Sequence, residues 1–132
     1  MDRTRLLLAE DHKEMCDKAV RELEVEFDVV GTVGDGQAML EAESLTRPDV
    51  CVMDISMPQM SGIEAATILK QRGSTAKIVF LTVHEDQAFV DAALASGASA
   101  YVVKPRMMQD LRLAIREVLA GRVFISPPSR PF

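Results

Sequence analysis

Asp54 follows Val50-Cys51-Val52-Met53, an apolar run of strand-forming length, and Pro58 blocks any regular continuation beyond it. A buried strand therefore delivers a carboxylate to an edge that solvent and ligand can reach. The other apolar runs end in the same manner. Leu6-Leu7-Leu8-Ala9 gives way to Glu10-Asp11, Ile78-Val79-Phe80-Leu81 to Thr82, and Ala100-Tyr101-Val102-Val103 to Lys104. Three carboxylates, a hydroxyl and an ammonium thus stand at strand ends. Carboxylates held close together repel, and they either keep protons or recruit a hard cation. Mg²⁺ suits such a set, because it takes oxygen ligands and favours one or two carboxylates plus a phosphate. A carboxylate nucleophile, a divalent cation, and a lysine and hydroxyl to hold the remaining oxygens are the parts for phosphoryl transfer to Asp54.

Other chemistries lack their residues. The chain has no GxxxxGK[ST] or GxGxxG cradle for a nucleotide, no Ser-His-Asp arrangement and no Cys/His cluster for a transition metal. His12 reads as a helix-start residue and His84 as a loop residue, and neither is expected to bind metal. Cys16 and Cys51 fall on apolar stretches and read as small core residues.

The elements that must position these groups follow from hydrophobic periodicity. Apolar residues at helical spacing predict helices from His12 to about Glu24 (Met15, Cys16, Ala19, Val20, Leu23) and from Gln37 to Leu45 (Ala38, Met39, Ala42, Leu45). Further helices are expected from Ile63 to Arg72 with Ser61 as cap, from near Glu85 to Gly97, and from Met107 to Ala120. The inner stripe of the last is read as Met108, Leu111, Ile115 and Val118. Between them lie five runs without polar alternation, near Leu7, Val30, Val52, Val79 and Val102. Run-type strands alternating with helices predict an α/β fold: a parallel sheet covered on both faces, flavodoxin-like (βα)5, doubly wound, with strand order 2-1-3-4-5. Its ligand site lies past the strand carboxyl ends, at the switch point between the first and third strands. Glu10, Asp11 and Asp54 flank that point.

With 132 residues, 48% of them hydrophobic and 27% charged, the chain suits one domain with a proper core. Residues 1–121 form that domain, and 122–132, with three prolines, read as a tail or the start of a linker. A net charge of −5 argues against this chain gripping nucleic acid by itself. No apolar run approaches the ~20 residues of a membrane span, and Met1-Asp2-Arg3-Thr4-Arg5 is a poor signal peptide, so a cytoplasmic protein is expected.

Glu10-Asp11, Met53-Asp54-Ile55-Ser56-Met57-Pro58 with Ser61-Gly62, Leu81-Thr82 and Lys104-Pro105 together resemble the receiver domain of bacterial two-component response regulators, from about Arg5 to Gly121. The resemblance implies that Asp54 accepts a phosphoryl group from a phosphohistidine of a sensor histidine kinase. It implies Mg²⁺ ligation by Asp11, Asp54 and the Ser56 backbone carbonyl, with Glu10 helping through water. Lys104 would pair with the phosphoryl group, Thr82 would move to hydrogen-bond it, Tyr101 would swing inward as the switch aromatic, and the Lys104–Pro105 peptide is expected to be cis. Leu81-Thr82-Val83-His84-Glu85-Asp86 and Leu119 to Pro127 are similar to the NarL/FixJ (LuxR-type) subgroup, whose receivers precede a helix-turn-helix domain not contained in these 132 residues. That subgroup also implies homodimers through the first and last helices. Two rivals are a receiver-like interaction module that is never phosphorylated and a haloacid-dehalogenase-like phosphohydrolase. The latter needs a second aspartate where this chain has Ser56.

Overall fold

The computed structural model describes residues 3–127. Met1-Asp2 of the leader reading and 128–132 of the tail reading lie outside them. Strands and helices alternate: β1 Arg5–Ala9, α1 Lys13–Glu24, β2 Asp28–Val33, α2 Gly36–Thr46, β3 Val50–Met53, α3 Gly62–Gln71, β4 Lys77–Thr82, α4 Gln87–Ala95, β5 Ala100–Val103, a 3-10 turn Lys104–Arg106, α5 Met107–Leu119 and β6 Phe124–Ile125. Every strand pair is parallel, and the order is β2-β1-β3-β4-β5-β6. The expected 2-1-3-4-5 order is present with one strand added at its edge.

Alternation along the buried strands divides the core into two layers. Leu7, Cys51, Met53, Ile78, Phe80 and Tyr101 face α2, α3 and α4, whereas Leu6, Leu8, Val52, Val79, Leu81 and Val102 face α1 and α5. Cys51 is fully buried, and Cys16 is a partly buried thiol on α1. α3 begins where Ser61 Oγ accepts the Glu64 N–H at 3.1 Å, and Gly62 N–H donates to Ile55 O at 2.8 Å. A Cβ at Gly62 would run into the Asp54 carbonyl oxygen and Phe80. Glycine there lets α3 close against the end of β3.

Within 122–132, expected as a tail or the start of a linker, Phe124 and Ile125 pair in parallel with Ala100 and Tyr101. Three readings are corrected. The inner stripe of α5 runs through Met107, Leu111, Ala114, Ile115 and Val118, while Met108 is 61% exposed. Both methionines precede Leu111 at helical spacing, Met107 by four residues and Met108 by three, so the pattern alone does not choose between them. Leu45 is 85% exposed; it lies five residues beyond the buried Leu40, about 140° round the helix. The Lys104–Pro105 peptide is trans, there being no cis bond among the described residues. Pro105 sits in the first turn of the 3-10 segment, where a missing N–H leaves nothing unpaired.

Candidate functional site

The carboxyl ends of β1 and β3 come together because these strands are sheet neighbours in register, Ala9 beside Met53. The Asp54 N–H donates to Ala9 O at 3.1 Å, and the Glu10 N–H to Val33 O at 3.0 Å, so the backbone fixes both acids at the rim. One ligand atom from each of Glu10, Asp11, His12 and Asp54 lies within 4.8 Å of the others.

Lys104 reaches this cluster from the end of β5. Its Nζ donates to Asp54 Oδ2 at 2.8 Å and stands 2.6 Å from Glu10 Oε1. The Glu10 contact is an ion pair: Oε1 is wholly buried and has no partner at hydrogen-bond angles. Burial alone would lower the Lys104 pKa, but the hydrogen bond to Asp54 and the close carboxylates of Asp54 and Glu10 outweigh it and hold the ammonium above the usual lysine range. Glu10 Oε2 accepts the His12 N–H at 3.1 Å, and Asp54 Oδ1 accepts the Ser56 N–H at 3.3 Å. Asp11 is exposed beside an open depression lined by Ser56, Met57, Ser61, Ile63 and Phe89. One positive charge thus faces three negative ones, in an oxygen-rich set with Asp11 open to solvent. These donors fit a small hard divalent cation.

Thr82 is fully buried at the end of β4, and its Oγ1 accepts the His84 N–H at 3.3 Å. Tyr101 lies inward, 1% exposed, its hydroxyl donating to His84 O at 2.8 Å. Burial first, and then the charges of Asp54, Asp86 and Glu85, push its phenol up to about 12.

The sequence pattern makes His84 a loop residue. The structure makes it a junction: Nε2 is 2.8 Å from Ser56 Oγ, the ring stacks on Phe89 at 4.1 Å and 12°, and the backbone meets both Thr82 and Tyr101. The sheet register brings His84 and Ser56 together. Met53 pairs with Phe80, so Ser56 and His84 emerge three and four residues beyond a shared rung. His12, expected at a helix start, is the N-cap of α1, and its ring lies 3.3 Å from both Glu10 and Asp11.

A doubly wound parallel sheet with three carboxylates and a lysine at its switch point is the architecture of a receiver. The chain belongs to the response regulator receiver domain family, which matches residues 6–116. The transcriptional regulatory protein DegU of Brevibacillus brevis is 33% identical over 128 residues, covering 96% of this chain and 54% of that protein. The transcriptional regulatory protein PdtaR of Mycobacterium tuberculosis is 39% identical over 112 residues, covering 84% of this chain and 54% of its own. A LuxR-family two-component response regulator from Aurantimonas sp. superposes with a TM-score of 0.91 at 34% identity, covering 96% of this chain and 91% of that one. The chain spans about half the length of the curated relatives it matches. It is a signalling domain of the NarL/LuxR kind, and the relatives it matches are named as transcriptional regulatory proteins. Among the described residues no helix is long and apolar enough to cross a membrane.

Proposed function

We propose that Asp54 is the phosphoacceptor of a two-component system, charged by the phosphohistidine of a sensor histidine kinase. A carboxylate oxygen of Asp54 displaces imidazole at phosphorus. The P–O bond forms as the P–N bond breaks, and the departing imidazole nitrogen takes a proton from solvent. The observation that carries this reading is the Asp54 carboxylate gripped by Lys104 at 2.8 Å within a cluster of acids. Asp11, Asp54 and the Ser56 carbonyl are the residues to hold Mg²⁺, with Glu10 acting through water because both its oxygens are already engaged. A bound Mg²⁺ would supply charge neutralisation for the phosphoryl oxygens.

Lys104 then exchanges one carboxylate oxygen for a phosphoryl oxygen. Thr82 gives up its bond from the His84 N–H to approach the same group, and the β4–α4 loop carries that change to Tyr101. Here Tyr101 is already inward, so its part in the switch is to hold His84 O or release it. The output is transcription, in keeping with relatives named as transcriptional regulatory proteins, and its expected route is a DNA-binding domain outside these 132 residues. Leu113 and Leu119 are exposed on α5, and one solved neighbour is described as dimers of RcsB bound to DNA; homodimerisation through α1 and α5 fits both.

Acetyl phosphate with Mg²⁺ tests the reading. Intact-mass spectrometry should show one phosphoryl group gained by the parent and none by Asp54→Asn. Equal labelling of that variant would move the acceptor elsewhere. Steady release of phosphate from small phosphoesters over many turnovers would favour the phosphohydrolase instead.

A further inference from the structure

The segment that follows α5 ends in a buried polar clasp that phosphoryl acceptance does not explain. Ser126 is 9% exposed, and its N–H donates to Tyr101 O at 2.8 Å. Its hydroxyl donates to Asp110 Oδ2 at 2.7 Å and accepts the Val103 N–H at 3.3 Å. Asp110, 3% exposed in the first turn of α5, is also gripped by Arg106, from Nε at 2.8 Å and from the guanidinium end at 3.2 Å. One side chain therefore ties the last residue of β5 to the first turn of α5. Between those two points lies only the turn that begins with Lys104. The residue bonded to the hydroxyl is the chain neighbour of the lysine that holds Asp54, and the residue bonded to the amide is the switch tyrosine.

We propose that Ser126 is a positioning residue, coupling the docking of residues 122–127 to occupancy of the Asp54 pocket. With the clasp closed, β5 ends in the geometry that points Lys104 at Asp54. With the clasp open, the Val103 N–H loses its acceptor, Asp110 loses one of its donors, and the Lys104 turn is held from one side only. A buried donor or acceptor does not stay unpaired without cost, so opening is a discrete event in which the strand leaves and water enters. An occupant of the pocket that needs Lys104 in place favours the closed clasp, and by linkage the closed clasp favours that occupant by the same factor. The chain leaving the sheet would thereby sense the acceptor directly, without a route through α4. This inference rests on the reading of Asp54 as the phosphoacceptor.

Beryllofluoride with Mg²⁺, which occupies an acceptor carboxylate reversibly, is the probe, and amide hydrogen exchange of the whole chain is the readout. In the parent, beryllofluoride should slow exchange at Val103 and Ser126 about 3-fold to 10-fold. In Ser126→Ala it should bind weaker by a comparable factor, while the amides of β1, β3 and β4 keep their protection. Ser126→Thr keeps the hydroxyl and should restore both binding and protection. Weaker protection of β6 in Ser126→Ala with unchanged beryllofluoride binding would make Ser126 a structural cap only and overturn the proposal. If beryllofluoride binding fell equally in the Thr variant, hydrogen bonding by the hydroxyl would not be the cause, and the proposal would fall on that ground. Absence of binding to the parent would overturn the phosphoacceptor reading itself and the coupling with it; the two failures are told apart because only the second silences the parent.

Discussion

The Lys104 ammonium lies 2.8 Å from Asp54 Oδ2 and 2.6 Å from Glu10 Oε1, bridging two buried carboxylates from strands on either side of the switch point. The lysine side chain is itself only 8% exposed. Removing it leaves two buried acids facing each other without a counter-charge. Lys104→Met should therefore destabilise the chain by about 2–4 kcal/mol in urea unfolding. Adding Asp54→Asn should recover part of the loss, because one of the stranded charges goes with it. A double variant no more stable than Lys104→Met alone would show that the ion pair is not what holds this rim.

Asp11 is the exposed member of the acidic cluster and supports no strand. Its replacement by alanine should change stability by less than about 0.5 kcal/mol. Mg²⁺ affinity measured by calorimetry should fall roughly 10-fold to 100-fold. Unchanged affinity would remove Asp11 from the ligand set.

Tyr101 is the only tyrosine of the chain, so its ionisation can be followed directly in the ultraviolet. The phenolate band should appear near pH 12, not near 10. The native phenol keeps its proton longer than the unfolded one, so stability is full below about pH 10 and falls as pH rises towards 12. Lys104, also raised, adds a loss of the same sign as pH climbs through its native value above the usual lysine range. A phenol titrating in the ordinary range would mean that the ring is not held inward in solution.

Gly62 closes α3 against the Asp54 carbonyl. Gly62→Ala should cost on the order of 3 kcal/mol, since the methyl meets backbone and the edge of Phe80. Ser61→Ala, one residue earlier, removes only the cap and should cost about 1 kcal/mol. Thermal unfolding of the pair separates the two effects, and comparable losses would contradict the packing described for this corner.

The sequence by itself determined the architecture and the rim. Unalternating runs such as Leu6-Leu7-Leu8 and Ile78-Val79-Phe80-Leu81 belong to strands buried on both faces. A parallel sheet brings every carboxyl end to the same edge, so Glu10, Asp11, Asp54, Thr82 and Lys104 had to converge. That inference needs only order and topology. Tertiary structure decided what depends on helix phase and on distances across the chain: Met107 inward rather than Met108, Leu45 outward, His84 bonded to Ser56, and Phe124–Ile125 added to the sheet edge. None of these leaves a periodic trace. A helix can rotate by one residue and still present an apolar stripe, and a two-residue strand is defined only by the neighbour it pairs with.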